Sequence, residues 1–219
     1  TDADAIRHKG LSMLLVPMDQ PGVTIRPIRQ LTGTSEFAEV FFDAASADKE
    51  HVLGGQGDGW KVAMGILSFE RGVSTLGQQL GFANELEQVI EAARENGAVD
   101  DPLIRQRLAK AWVKLRIMRL HALRTLSTLA NGGELSREAM INKLYWASWH
   151  RDLGELAMAV LGPAAEVSRA DGELTALQRL FLFSRADTIY AGSNQIQRNI
   201  IGERALGLPR EPRVAEVKR

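Results

Sequence analysis

Two places in the chain put suitable residue types where chemistry could be done. The first is the run Arg185-Ala186-Asp187-Thr188-Ile189-Tyr190-Ala191-Gly192-Ser193-Asn194-Gln195-Ile196-Gln197-Arg198-Asn199-Ile200-Ile201-Gly202-Glu203-Arg204. It reads as an apolar approach, a tight turn at Ala191-Gly192-Ser193, and a helix. Ser193 or Asn194 can cap that helix, because a short polar side chain accepts a first-turn N–H that has no intrahelical partner. Ile196, Ile200 and Ile201 then share a face at helical spacing. A helix start beside a glycine leaves N–H groups open and lets a ligand approach the backbone, which can bind an anion or a polarised carbonyl. The plainer alternative is a capped surface helix after a turn. The second place is Ser68-Phe69-Glu70-Arg71-Gly72. Glu70 lies mid-helix between apolar neighbours. A helix glutamate there is either a general acid–base group or a solvated residue partnered by Arg71 or by position 74.

Other chemistries are excluded by what is missing. His8, His51, His121 and His150 are scattered, with no i, i+4 pair and no H-E-x-x-H motif, so no zinc or other metal site is expected. No G-x-S-x-G elbow occurs, which argues against a serine hydrolase. The chain has no cysteine, so disulfides and thiolate catalysis are ruled out. Its formal net charge is zero, which offers nucleic acid or an anionic membrane surface no basic excess. No apolar run approaches the roughly 20 residues that span a bilayer. Residues 1–10 are polar and charged, with no signal peptide visible, so a soluble cytoplasmic protein is expected.

The elements that must hold these residues change character at about residue 60. Before it, residues 11–17, 23–28, 39–43 and 52–53 are short runs rich in β-branched and aromatic side chains, broken by Pro, Gly and Asp. They predict strands. So few strands look like half a sheet, and the chain begins abruptly in a charged stretch, so a fragment lacking its upstream part is expected. Gly54-Gly55-Gln56-Gly57-Asp58-Gly59 has no phosphate-loop pattern and reads as a hinge.

From Trp60 the apolar period is helical, through Val62, Ile66, Phe69, Val73, Leu76, Leu80, Phe82, Leu86, Val89 and Ile90. It predicts a helix to about Asn96, roughly 55 Å long. Gly72, Gly77 and Gly81 each weaken that helix by about 1 kcal/mol relative to alanine, or let a backbone or ligand come close. Asp101 is placed to cap a second helix, Pro102–Ala130, with Leu103, Ile104, Leu108, Trp112, Leu115, Met118 and Leu126 as its core candidates. Asn131-Gly132-Gly133 ends it. A third helix opens at Ser136-Arg137, carries Ile141, Leu144, Tyr145, Trp149, Leu153 and Leu156, and stops near Gly162-Pro163. Residues 173–190 give a fourth, before the turn and the last short helix. The fold class is therefore mainly α. A C-terminal antiparallel four-helix-type bundle over 57–207 follows a partial β domain over 1–56 and precedes an extended tail over 208–219.

Tyr190-Ala191-Gly192-Ser193-Asn194-Gln195-Ile196-Gln197-Arg198 resembles the C-terminal signature of the acyl-CoA dehydrogenase family, Tyr-(Glu/Ala)-Gly-(Thr/Ser)-x-(Gln/Glu)-(Ile/Val)-(Gln/Arg)-Arg. The resemblance covers nearly the whole chain. Its β part would be the late strands of a barrel or sandwich, with a helical domain and the earlier strands upstream. It implies an FAD-dependent flavoprotein that oxidises an acyl-CoA thioester to the 2-enoyl-CoA in lipid metabolism, as in fatty acid β-oxidation. A carboxylate takes the proton beside the thioester carbonyl, the β-hydrogen leaves as hydride to the flavin, and electrons pass to an electron-transfer flavoprotein. A homo-oligomer, dimer or tetramer, is implied, or a heterotetramer of catalytic and non-catalytic subunits. A non-catalytic subunit and an acyl-CoA oxidase are the alternatives.

In many members the base is a glutamate between the signature's Tyr and Gly, where this chain has Ala191. The isovaleryl-CoA and long-chain acyl-CoA dehydrogenases carry it instead on the long helix, immediately before an arginine, which matches Glu70 in Phe69-Glu70-Arg71. The resemblance thus assigns catalysis to Glu70, with a pKa raised by apolar surroundings, to the Ala191 backbone N–H, and to Arg71 as orienting charge. The N–H and a flavin ribityl hydroxyl would bond the thioester oxygen. Ser68, Phe69 and Gly192 would adjoin substrate, and Arg94, Gly162, Ser193 and Gln195 would bind FAD. Two runs depart from the family. Arg94-Glu95-Asn96-Gly97-Ala98 replaces Arg-Lys-x-Phe-Gly, and Gly162-Pro163-Ala164-Ala165 replaces Gly-Gly-x-Gly.

Overall fold

The computed structural model describes residues 1–133, 137–169 and 172–210, with the side chains of residues 68–76 and 138 outside that description. The chain divides into two compact units, Thr1–Ser74 and Thr75–Arg219.

In the first unit, β1 (Met13–Leu14) pairs antiparallel with β4 (Val52–Leu53), and β2 (Val23–Ile28) pairs antiparallel with β3 (Phe37–Phe42). Val23 stands opposite Phe42 and Ile28 opposite Phe37. Among the described residues the strands of this partial β part form two two-stranded pairs. Pro27 in β2 has no N–H to give a further strand, which confines it to an edge. Across the β2–β3 ribbon the Arg26 guanidinium lies over the Phe41 ring at 4.7 Å.

α1 (Gly59–Glu95) runs from the first unit into the second over 37 residues, as its apolar period predicts. α2 (Pro102–Ala130) starts at Asp101, whose Oδ1 accepts the Leu103 N–H at 2.7 Å, with Pro102 where no N–H is needed. α3 (Asn142–Leu161) is α-helical only from Asn142, after a 3-10 turn at Arg137–Ile141, so it begins later than expected; Ser136 lies outside the described residues. α4 (Ala176–Asp187) is shorter than residues 173–190 at both ends. Thr175 and Gln178 form a reciprocal capping box that fixes its start. At its end the Ile189 and Tyr190 amides both turn back to the Ala186 carbonyl. α5 (Asn194–Ile200) passes into one π turn, Ile201–Ala205.

Side chains on main-chain carbonyls fix the bundle's directions. Trp149 Nε1 donates to Ala111 O at 2.9 Å and Tyr145 Oη to Lys114 O at 3.1 Å, so α3 runs opposite to α2. Gly154 lies against Ser184 while His150 meets Asp187, so α4 runs opposite to α3. A Cβ at Gly154 would sit 2.5 Å from Ser184 Oγ and 3.0 Å from Phe181 Cα, so only glycine permits this approach. Phe82, Leu86 and Val89 of α1, Leu108 and Leu115 of α2, Trp149, Leu153 and Leu156 of α3, and Leu177 and Leu180 of α4 form one core.

Three core candidates are corrected. Leu103, Trp112 and Leu126 are 72%, 53% and 47% exposed. α2 is covered along one stripe only, Ile104, Leu108, Ala111, Leu115, Met118 and Ala122, at spacings of three and four. Its other apolar side chains face outward, among seven Lys and Arg and no Asp or Glu.

Candidate active site

The turn after α4 is built from two successive left-handed residues, Ala191 at φ +52° and Gly192 at φ +90°. For alanine this costs about 1–2 kcal/mol, so the surroundings must hold it there. The Asn194 N–H donates to Thr188 O at 3.0 Å and closes the loop, and Gln197 Nε2 donates to Ala191 O at 3.2 Å. A Cβ on Gly192 would lie 2.7 Å from that Nε2 and push the Gln197 side chain aside, and the positive φ favours glycine. The amide N–H groups of Ala191 and Gly192 have no partner among the described residues. Ala191 is exposed and Gly192 half-buried.

Ser193 caps α5 as predicted, its Oγ accepting the Ile196 N–H at 3.4 Å. Of the isoleucine face, Ile196 is 52% exposed and Ile200 and Ile201 are half-buried, whereas Asn194 and Gln197 are buried. A tight turn has main-chain groups that need partners, and the Gln197 side chain serves one of them, the Ala191 carbonyl. Asn194 Nδ2 donates to Ser148 Oγ at 3.3 Å, and its Oδ1 is buried without a partner among the described residues. α5 has only seven residues, so the chemistry available lies with the free turn amides and not with the helix start.

Behind the turn lies a buried charged network. His150 on α3 is 3% exposed. Its Nε2 is 2.7 Å from Glu85 Oε2 on α1, and its Nδ1 meets Asp187 Oδ2 at the end of α4. The other Asp187 oxygen, Oδ1, accepts the Tyr190 hydroxyl at 2.5 Å. Lys143 Nζ donates to the Asp187 main-chain oxygen at 2.5 Å and lies 5.5 Å and 5.9 Å from the Trp146 and Tyr190 rings.

A carboxylate on each ring nitrogen calls for two N–H donors, so His150 is an imidazolium. Burial pulls its pKa down, but the hydrogen bonds and charges of Asp187 and Glu85 outweigh it and push it up to about 9. Burial, with Asp187 beside it, raises the Tyr190 hydroxyl and keeps it a neutral donor. Burial lowers the Lys143 ammonium against the opposing pull of Asp187.

Folding stability should therefore depend on pH. The folded His150 value lies above 6.5, so its contribution is whole below pH 6.5 and is lost as pH rises through about 9. That gap corresponds to about 3 kcal/mol. Urea unfolding at about pH 6 and about pH 10 should show the loss; equal midpoints would contradict the buried imidazolium.

The other expected site residues are placed as follows. Ser68, Phe69, Glu70 and Arg71 lie on α1, with side chains outside the described residues. Gln195 is exposed at the start of α5, so the turn brings together Ala191, Gly192, Ser193 and Gln195. Arg94 pairs with Glu87 at 3.7 Å on the surface, and Gly162 ends α3 at φ +57°. Asn96 Nδ2 donates to Val160 O at 2.7 Å, so Arg94 and Gly162 stand where α1 and α3 end together. Ser148, beside the turn, is about 20 Å back along α3 from Gly162, so within one chain these two residues are apart from it. Among the described residues no His, Asp and Glu group could hold a metal ion, and no helix is long and apolar enough to cross a membrane.

Tyr190 opens the signature but no role is read for its hydroxyl, and Glu85, His150 and Asp187 are not singled out by any motif. They come from three helices and a loop, and the one local sign is Asp187 and Tyr190 three residues apart at a helix end.

Residues 57–206 match the family model described as acyl-CoA dehydrogenase, C-terminal domain. Over 211 residues the chain is 59% identical to acyl-CoA dehydrogenase IpdE1 of Mycobacterium tuberculosis, covering 96% of this chain and 54% of that protein. It is 58% identical to IpdE1 of Mycolicibacterium smegmatis, covering 96% and 52%. The chain thus spans about half the length of the curated relatives it matches. The solved Tcur3481-Tcur3483 steroid ACAD has a TM-score of 0.83 at 27% identity, over 96% of this chain and 55% of that one. With a matching model over more than half its residues, the chain belongs to the acyl-CoA dehydrogenase family, of which it carries the C-terminal domain.

Proposed function

We propose that this chain works in an FAD-dependent acyl-CoA dehydrogenase, with Glu70 on α1 as general base and the Ala191 N–H as donor to the thioester oxygen. In this reading residues 57–207 are the bundle domain, 1–56 the second half of a β domain, and 208–219 a tail. The observation that carries it is the Ala191–Gly192 turn, whose main-chain donors are held in place and left free.

The residues around the turn suit a polar cofactor and a thioester. The buried, unpartnered Asn194 Oδ1 and the free amides leave hydrogen-bonding capacity beside Gly192. Ser193 and Gln195 would hold FAD here, with Arg94 and Gly162 serving the flavin of a neighbouring copy. Bound FAD supplies the acceptor for the β-hydrogen. The chain's own groups do the rest. Glu70 takes the α-proton. The Ala191 N–H stabilises charge as it develops on the thioester oxygen, a contact that needs no particular side chain. Arg71 orients the Glu70 carboxylate, and Ser68, Phe69 and Gly192 line the acyl end. Electrons leave to an electron-transfer flavoprotein.

Ala191 presents a methyl where many members have a carboxylate, which favours a bulky acyl group; the steroid ACAD among the solved relatives points the same way. Anaerobic addition of a steroid-derived and a straight-chain acyl-CoA to the flavin-loaded protein tests this. The former should bleach the flavin's visible absorbance faster, and absence of bleaching by either would sink the assignment.

A second reading, assembly with a different subunit, is favoured by α2. α2 itself carries Lys and Arg and no carboxylate, and Leu80, Ile90, Trp112, Leu123, Arg116 and Arg119, with Glu87 of α1, line a groove between α1 and α2. Two such faces meeting across a two-fold axis would oppose mostly like charges. A partner richer in carboxylates would complement them.

A further inference from the structure

We propose that His150, Asp187 and Tyr190 form a positioning relay that sets the Ala191–Gly192 turn from the charged interior of the bundle; its role in turnover rests on reading that turn as the oxyanion donor. None of the three touches the reacting atoms in this reading. They act through the main chain.

A left-handed alanine persists only where neighbours over-determine it. The bonds from Asn194 and Gln197 hold the turn from its downstream side. From upstream, the residue joined to Ala191 is Tyr190, and its hydroxyl is anchored on Asp187 Oδ1 at 2.5 Å. Asp187 is 1% exposed and cannot turn to water. Its second carboxylate oxygen is held by His150 and its main-chain oxygen by Lys143. His150 in turn has no freedom. Its ring packs 4.6 Å from Phe82 and 6.3 Å from Trp149, and Glu85 holds its other nitrogen.

The titratable groups facing the relay are thus Glu85 from α1, Lys143 from its own helix α3, Asp187 from α4 and Tyr190 from the loop. Removing the Tyr190 hydroxyl leaves the ring with only its looser contacts to Trp146 and Lys143, and Ala191 can then relax toward negative φ and carry its N–H away. Removing the imidazolium unfastens Asp187 and has the same outcome one step further back.

The Asn194 amide, bonded to Thr188 O across the turn, reports opening of the loop. In flavin-loaded protein its hydrogen exchange should be about tenfold faster or more in Tyr190→Phe and in His150→Gln, with core amides of α3 near Leu153 unchanged in Tyr190→Phe. The double variant should be no worse than the larger single one, since both break the same chain. kcat should fall with KM steady, because the donor acts as charge develops. Asp187→Asn, which keeps an acceptor for Tyr190, should loosen Asn194 less than either; it also carries the test if His150→Gln does not fold. Faster Asn194 exchange with unchanged kcat would leave the relay standing and remove the turn from the chemistry. Unchanged Asn194 exchange in Tyr190→Phe overturns the relay itself.

Discussion

With Glu70 as the proposed general base, Glu70→Gln should lower turnover by about 10²–10⁴-fold while FAD content stays as it was, the share of rate that a positioned general base supplies. Glutamine has the volume and polarity of glutamate but no basic oxygen at neutral pH. The variant therefore keeps helix propensity on α1 and removes only the proposed proton acceptor. Nothing in the turn can stand in, because Ala191 has no acid–base chemistry of its own. KM should change little, since proton removal belongs to the transition state and not to binding. The measurement is the rate of flavin bleaching after anaerobic mixing with acyl-CoA. A rate within about twofold of the parent would take Glu70 out of the reaction.

Asp187→Ala should have the largest effect on folding. It removes at once the partner of the His150 imidazolium and of the Tyr190 hydroxyl, leaving a buried cation with one carboxylate instead of two. Breaking a buried ion pair from one side costs about 3–5 kcal/mol. In a chain of this size each kcal/mol moves Tm by about 2–4 °C, so calorimetry should find a fall of about 10 °C. Asp187→Asn should lose less, because an amide oxygen still accepts from Tyr190. A Tm unmoved by Asp187→Ala would mean that His150 is not held as a cation.

The helical half was legible because its signals are local. Asp101-Pro102 starts α2, Gly162 ends α3 and Ser193 caps α5, each through a hydrogen bond or a φ value that one or two residues decide. Apolar spacing gave the long span of α1 but not which apolar residues are covered. Trp112 and Leu103 have the right chemistry for a core and the wrong side of α2. The strand positions were visible and their pairing was not, since nothing local links residue 13 to residue 53. The turn was recognisable from its glycine and its motif. The charged network behind it was not, because metal and hydrolase patterns test neighbours along one helix, whereas His150 finds its partners at residues 85 and 187. The burial of Asn194 and Gln197 escaped for a related reason: Gln197 answers the Ala191 carbonyl of the turn, which has no letter in the sequence, and Asn194 reaches Ser148, far away along the chain.

The backbone at Ala191 has a consequence for how such sites can change over generations. A left-handed φ penalises most L-residues by a similar amount, and β-branched ones more. Exchanging one unbranched side chain for another there is close to neutral for folding. A lineage can therefore discard or regain an acid at this position in a single step, with the scaffold that offers the peptide hydrogen carried through unaltered.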